Sequence, residues 1–177
     1  MSEATQRSLE MLATALEKEL KGRDFYQEAV AKCRNELGQD LFRKLSADEG
    51  VHVLRIREIY SALEGGKAWT GEWRAHRVES EDLKKLFAER MSKLGPKVTT
   101  EAGDLDALKI GMEMEQGAIK FYEAQLEKAT EPLERDFIKL MIAEEHGHYA
   151  ALADVRFYLE NPESWFTEHE RHVLDGA

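Results

Sequence analysis

The sequence is poor in the residues that form cross-links and thiolate metal sites. It contains a single cysteine, Cys33, among 177 residues, so an internal disulfide is excluded and no Cys-x-x-Cys pair is present to bind zinc or iron. Proline is also scarce, with three residues in the whole chain, and proline is the residue that helix interiors exclude most strongly. These absences favour a helical protein in which any metal would be bound by oxygen and nitrogen atoms.

Positive charge and long apolar runs are also lacking. The chain has 25 lysine and arginine residues against 35 aspartate and glutamate residues, a net charge of −10, which argues against nucleic acid or an anionic membrane as the main partner. No apolar run approaches the roughly 18 residues of a spanning helix, and the N-terminus has no signal-peptide pattern. We therefore expect a cytoplasmic protein with one domain over residues 1–177.

Apolar residues recur every three or four positions along four long stretches, which is the period of one helix face. The stretches pair into two helical hairpins, about residues 5–64 and 100–161, each with a short turn in its middle. Residues 65–99 connect the hairpins. This connection carries a short amphipathic helix from Leu83 to Leu94, and Ser80 is its expected N-cap.

The last segment, residues 162–177, is expected to be a tail that caps the bundle. Its His169 and His172 are three residues apart, so they could meet on one helix face. We assign them to the capping segment rather than to a metal site.

The two hairpins repeat one another without a gap. A shift of 96 positions superposes Glu19 on Glu115, Tyr26 on Tyr122, Glu49 on Glu145 and His52 on His148. This period is too long for a solenoid, so we predict two hairpins fused into a four-helix bundle with pseudo-twofold symmetry. The long connection can travel the length of the bundle, so helices two and three should run in the same direction. That is the one-crossover topology of ferritin-like folds.

Six ionisable residues occupy helix positions where leucine or isoleucine would be expected. Burying an ionised carboxylate without a partner costs several kcal/mol, and four carboxylates at one level would also repel one another. Two divalent cations would compensate the four carboxylates, and two neutral imidazoles would complete the coordination. Such donors suit iron, manganese or, less selectively, zinc. The predicted ligands are Glu19, Glu49, His52, Glu115, Glu145 and His148.

The pattern matches the general layout of di-iron carboxylate proteins, with one glutamate from each of two helices and Glu-x-x-His from each of the other two. By this analogy Glu49 and Glu145 would bridge two ions. The terminal ligands would be Glu19 and Glu115, with His52 and His148 each on one ion.

At these motifs the chain resembles the rubrerythrin family of the ferritin-like superfamily. The resemblance rests on Glu19-x6-Tyr26, Asp48-Glu49-x-x-His52, Glu115-x6-Tyr122 and Glu144-Glu145-x-x-His148. It implies a centre of two iron ions that reacts with hydrogen peroxide or dioxygen, as a peroxidase or ferroxidase, in oxidative-stress or iron handling. It also implies an external electron donor and a homodimer.

Two features distinguish the chain from the peroxide-reducing members of that family. It carries no rubredoxin-type cysteine pattern. Ala118 stands where those members have an additional ligand glutamate, one turn after the third-helix glutamate, and Gly22 is its counterpart in the first half. The predicted site therefore resembles the symmetric ferroxidase centre of bacterioferritins.

Four further polar residues flank the predicted ligands. Tyr26 and Tyr122 lie two turns beyond the glutamates of their own helices, where a phenol can hydrogen-bond a carboxylate, and the family resemblance favours that supporting role. Asp48 and Glu144 each precede a predicted ligand. Two interpretations of these acids stay open, a partner that fixes an imidazole tautomer and an exposed helix charge.

Two other functions are compatible with the same residues. In a non-catalytic metal-binding or sensing module, metal ligation would set the stability of the bundle or its binding to a partner, without turnover. In a bundle that binds no metal, the glutamates and histidines would form buried salt bridges. Redox cycling with iron separates an oxidoreductase from the first alternative, and metal content separates it from the second.

Overall fold

The computed structural model describes residues 2–78 and 83–174, and for residues 84 and 170–174 it describes only the backbone. The described helices are α1 (Glu3–Lys32), α2 (Glu36–Glu64), α3 (Leu83–Leu94), α4 (Ala102–Leu126), α5 (Pro132–Glu160) and α6 (Pro162–Leu174), with a 3₁₀ turn at Glu72–Ala75. The predicted all-α, ferritin-like bundle is confirmed. No helix within the described ranges combines the length and the apolarity needed to cross a membrane.

The sequence explains where α1 and α2 begin and end. Ser2 caps α1 by accepting a 3.1 Å hydrogen bond from the backbone N–H three residues later. Asn35 caps α2 in the same way, also at 3.1 Å. Beyond the end of α2, Gly66 has a φ of 78°, a left-handed conformation that glycine adopts most easily. The short turn between α1 and α2 makes them antiparallel neighbours.

Contacts between the hairpins establish the direction of each helix. Arg7, near the start of α1, donates to the carbonyl oxygen of Lys128, just beyond α4. The backbone N–H of Arg34, just beyond α1, donates to Asp104 in the first turn of α4 at 2.8 Å. α1 and α4 are therefore antiparallel. Because α1 and α2 are antiparallel as well, α2 and α4 run in the same direction, as the long connection predicts.

Two apolar clusters fill the bundle, one on each side of a polar layer. The first includes Phe42 and Leu152, near the turn between α1 and α2. The second includes Leu12 and Ile138, toward the opposite end. Burial of apolar surface contributes about 25 cal/mol per Å² and is the dominant favourable term in folding. These clusters hold the four long helices together on both sides of the polar side chains.

The connection and the C-terminal segment cover parts of the bundle. Trp73 of the 3₁₀ turn is buried against Phe137, with ring centroids 5.5 Å apart, and α3 packs against α5. The segment expected to be a tail instead forms α6 over residues 162–174. Its buried Trp165 donates its indole N–H to Asp154 at 3.0 Å, which explains why this segment is helical and packed.

His169 takes part in the packing of α6. Its ring stacks on that of Trp165 with centroids 3.7 Å apart, and its Nδ1 atom lies 2.9 Å from the Trp165 carbonyl oxygen. The side chain of His172 and the whole of Ser80, the expected N-cap of α3, lie outside the described residues.

Candidate metal centre

Four helices contribute polar side chains to one layer in the middle of the bundle. α1 and α4 each supply a glutamate. α2 and α5 each supply a glutamate and, three residues later, a histidine, a spacing that a helix places on one face. These side chains are no more than 3% exposed and are those predicted from the sequence: Glu19, Glu49, His52, Glu115, Glu145 and His148.

The six residues form two overlapping groups of four. Within each group the ligand atoms lie within 4.8 Å of one another, and the groups are Glu19, Glu49, His52, Glu145 and Glu49, Glu115, Glu145, His148. Glu49 and Glu145 belong to both groups, so each can present one oxygen to each of two neighbouring ions. The cluster therefore fits a di-metal site with two shared carboxylates.

Both imidazoles point their Nδ1 atom into the layer. The Nδ1 atom of His52 lies 3.1 Å from Glu19 and 3.4 Å from Glu145. The Nδ1 atom of His148 lies 3.3 Å from Glu145 and 3.5 Å from Glu49. The two rings stack with centroids 5.5 Å apart. Nδ1 is thus the nitrogen available to a metal, and Nε2 is left for an outer partner.

Several buried polar atoms of the layer make no hydrogen bond to any part of the chain that the structure describes. They include both carboxylate oxygens of Glu145 and the Nδ1 atom of His148. Unpaired buried polar atoms are costly, and a divalent cation bound to them would remove that cost. Two such ions would also balance the four carboxylates, and oxygen and nitrogen donors suit iron, manganese or zinc.

The pKa values of the carboxylates are shifted in different directions within the layer. Burial, reinforced by the charges of Glu49 and Glu145, raises the pKa of Glu19 well above its usual value. Burial and the charge of Glu145 raise the pKa of Glu115 in the same direction. For Glu49, burial and the charge of Glu145 oppose ionisation, but contacts with Glu19 and both imidazoles lower its pKa to about 2. Protonation is therefore favoured at the unshared glutamates, and ionisation is favoured at the shared ones.

The pKa values of both imidazoles are also raised, which favours their protonated forms. Burial opposes the charge on His52, but contacts with three glutamates, Glu144 first among them, raise its pKa well above the usual value. Burial likewise opposes the charge on His148, and close contacts with Asp48 and three glutamates raise its pKa. Metal binding at Nδ1 must displace these protons.

Asp48 and Glu144 lie behind the two imidazole rings, which decides between the two interpretations left open by the sequence. Glu144 Oε2 lies 3.1 Å from Nε2 of His52, and Asp48 Oδ2 lies 3.5 Å from Nε2 of His148. Asp48 is 2% exposed and Glu144 is mostly buried, so neither is a solvated helix charge. Each contact joins α2 to α5 across the two halves of the repeat.

The two tyrosines cross between the halves in the same manner. Tyr26 donates its phenol proton to Glu115, and Tyr122 donates to Glu19 at 2.5 Å. Each phenol therefore bonds the glutamate of the opposite hairpin and not the glutamate of its own helix. Burial, followed by the charge of the adjacent carboxylate, raises the pKa of both phenols well above the usual value, which keeps them as donors.

Arg55 is a further residue of this site that was not predicted from the sequence. It is 2% exposed, and its two terminal nitrogens contact the two oxygens of Glu144. Its Nε atom donates to the carbonyl oxygen of His76 at 2.8 Å. The available signal was its position three residues after His52, which puts both side chains on one face of α2.

A cleft of about 300 Å³ lies between α1 and α4 and reaches the polar layer. The small residues Gly22, Gly117 and Ala118 line it, together with Glu49 and Glu145. A Cβ atom added at Gly22 would lie 3.4 Å from the carboxyl carbon of Glu49, so the backbone of α1 passes close to a shared carboxylate. Small residues on both helices thus leave a route by which a small molecule can reach the layer.

Comparison with known proteins gives a family match over most of the chain. The family model described as Rubrerythrin matches residues 10–156, a segment that contains all six predicted ligands, both tyrosines and Arg55. No curated protein and no solved structure matches the chain.

Proposed function

The chain belongs to the rubrerythrin family, and on that premise we propose that its polar layer binds two iron ions and reacts with hydrogen peroxide or dioxygen. The main support is that Glu49 and Glu145 belong to both groups of four ligands, because shared carboxylates hold two ions side by side. The protein would act as a peroxidase or ferroxidase in oxidative-stress or iron handling. An external electron donor would reduce the oxidised iron again.

The proposed ligands divide into two sets and a shared pair. Glu19 and His52 would hold one ion, Glu115 and His148 would hold the other, and Glu49 and Glu145 belong to both groups of ligands. Two adjacent iron ions supply the capacity to bind both ends of an O–O unit and to pass two electrons to it. The protein would bind the two ions and orient their ligands, and the cleft would admit only small molecules.

Tyr122 prepares Glu19 for its proposed role as a ligand. Oε1 of Glu19 accepts the phenol proton at 2.5 Å, while Oε2 lies 3.1 Å from Nδ1 of His52 and faces the site. The hydrogen bond fixes the rotation of the carboxylate, so that the other oxygen would be available to a bound ion. Tyr26 holds Glu115 in the other half.

We expect Ala118→Leu to slow the reaction with hydrogen peroxide without removing the metals. Ala118 lines the cleft but is not a proposed ligand, and a leucine would occupy part of the space. The expected decrease is about tenfold in the rate constant for oxidation of ferrous iron, equivalent to about 1.4 kcal/mol on the barrier. Stopped-flow absorbance measures the rate, and metal analysis checks that the iron content is unchanged.

Gln116→Leu is the matched control for this substitution. It places the same side chain on the exposed face of α4, outside the cleft, and should leave the rate unchanged. Equal rates for Ala118→Leu and the wild type would show that the oxidant enters by another route.

The proposed function is tested on protein purified without chelators. We expect about two iron ions per chain. The ferrous form, prepared without oxygen, should gain ferric absorption when hydrogen peroxide or dioxygen is added. Continued turnover with an added reductant would identify a catalyst. Zinc-loaded protein is the control, because zinc has no redox chemistry. If iron-loaded protein reacts with neither oxidant, the oxidoreductase proposal fails, and metal-dependent melting alone would favour a metal-binding module.

A further inference from the structure

The two imidazoles of the proposed metal centre have outer partners of unequal strength. The Nε2 atom of His52 lies at hydrogen-bond distance from Glu144, 3.1 Å. The Nε2 atom of His148 lies 3.5 Å from Asp48, whose Oδ2 atom makes no hydrogen bond within the described part of the chain. The pseudo-twofold symmetry of the six ligands therefore does not extend to the groups behind them.

Arg55 contacts Glu144, the outer partner of His52. Its guanidinium contacts both oxygens of Glu144, one of them at 3.2 Å, in a forked arrangement that fixes the orientation of a carboxylate as well as its position. Its Nε atom donates to the carbonyl oxygen of His76 at 2.8 Å, so the guanidinium is itself held on two sides. Under the 96-residue shift, the residue equivalent to Arg55 is Ala151. The second half therefore has no arginine at that position.

Arg55 can act on a nearby metal ion in two ways, through its charge and through the orientation of Glu144. The arginine charge repels a cation and the Glu144 charge attracts it, and because the two groups are in contact these effects largely cancel. What remains is orientation, since Glu144 accepts from Nε2 and leaves Nδ1 of His52 directed into the site. Outer partners that orient a ligand histidine typically change metal affinity by about 10–100-fold.

We propose that Arg55 is a positioning residue that acts through Glu144 on His52 and makes the two metal positions unequal. The position formed by Glu19 and His52 depends on Arg55, and the position formed by Glu115 and His148 does not. The inference rests on the paired metal site of the proposed function. It adds that loss of Arg55 weakens one of the two ions selectively.

The affinities of the two metal positions are measured separately by titrating the metal-free protein with cobalt(II) in a calorimeter. A competing chelator brings tight binding into the measurable range. For Arg55→Met we expect the affinity of one equivalent to fall by about 10–100-fold and the other to stay unchanged. Arg55→Lys keeps the charge and loses the fork, so it should weaken the same equivalent. If Arg55→Met does not fold, Arg55→Lys decides. Arg74→Met breaks an exposed pair with Asp136 and should change neither affinity.

An NMR signal separates positioning from general destabilisation. In the cobalt-loaded wild type, the Nε2–H proton of His52 should give a shifted resonance that exchanges slowly with solvent, because Glu144 holds it. Its loss in Arg55→Lys, with the signals of His148 retained, supports the proposal. Unchanged affinities in both Arg55 variants, or a tighter site in Arg55→Met, overturn it. Wild-type protein that binds no cobalt overturns the proposed metal site and this inference together.

Discussion

Replacing Glu145 with glutamine should remove metal binding at both positions, whereas replacing Glu19 with glutamine should remove it at one. Glu145 belongs to both groups of four ligands and Glu19 to one of them. A glutamine side chain has one acceptor oxygen and no negative charge, so it cannot bridge two cations as a carboxylate does. The same chemical change is made at two buried residues, which makes the variants a matched pair.

Thermal melting and metal analysis both measure this difference. A metal present at about 100 times its Kd adds about 2.7 kcal/mol per site to the free energy of unfolding. Two sites then add about 5 kcal/mol, which raises Tm by on the order of 10 °C for a chain of this size. We expect that gain for the wild type, about half of it for Glu19→Gln, and none for Glu145→Gln. Equal metal content in the two variants would contradict the shared role of Glu145.

The second expected result is that the metal-free protein loses stability as the pH rises. Four groups of the site have a raised pKa, relative to usual values of 4.5 for the carboxyls and 6.5 for the imidazoles: Glu19, Glu115, His52 and His148. Each binds its proton more tightly in the folded than in the unfolded chain. Its contribution to stability is therefore complete below the usual value and is lost as the pH rises through the folded value.

The shared carboxylates act in the opposite direction and over a different pH range. Contacts with Glu19 and the imidazoles lower the pKa of Glu49 to about 2, and contacts with the imidazoles lower that of Glu145 well below 4.5, against the effect of burial. Their contribution is complete above the usual value of 4.5 and is lost as the pH falls through the folded values. Above about pH 4.5 the raised groups dominate the contribution of the site, so that contribution to metal-free stability declines with rising pH.

Metal binding should reverse this trend, because the ions displace the protons of the raised groups. Each displaced proton changes the stability difference between the two forms by about 1.4 kcal/mol per pH unit. We expect the gap between the melting temperatures of zinc-loaded and metal-free protein to widen from about pH 5 to about pH 8. Comparing two forms of one chain cancels the titration of all other groups. A gap that stayed constant would show that no protons are displaced.

The polar layer could be found in the sequence because each of its members interrupts an apolar helix face. Glu19 and Glu115 each stand at one such position, and each Glu-x-x-His pair occupies two. The same shift of 96 residues relates the two sets. The crossover topology was predictable for a similar reason, since a connection of this length is unnecessary between adjacent antiparallel helices. The structure confirms the bundle and brings together all six side chains.

Contacts between the hairpins could not be predicted from periodicity alone. The spacing along each helix face placed Tyr26 and Tyr122 near a carboxylate. Only the relative positions of α1 and α4 show that each tyrosine bonds a glutamate of the opposite hairpin. Arg55 reads as an ordinary helix charge until its contacts with Glu144 and the His76 carbonyl are known. Trp165 of α6 is fully buried, a tertiary contact that helical periodicity alone does not identify.

Neither hairpin contains a complete group of four ligands. One group takes three members from the first hairpin and Glu145 from the second, and the other takes three members from the second and Glu49 from the first. Bound ions would therefore act as removable cross-links between the two halves of the chain. Assembly of the site has to wait until the halves dock, and any motion that separates them must release both ions.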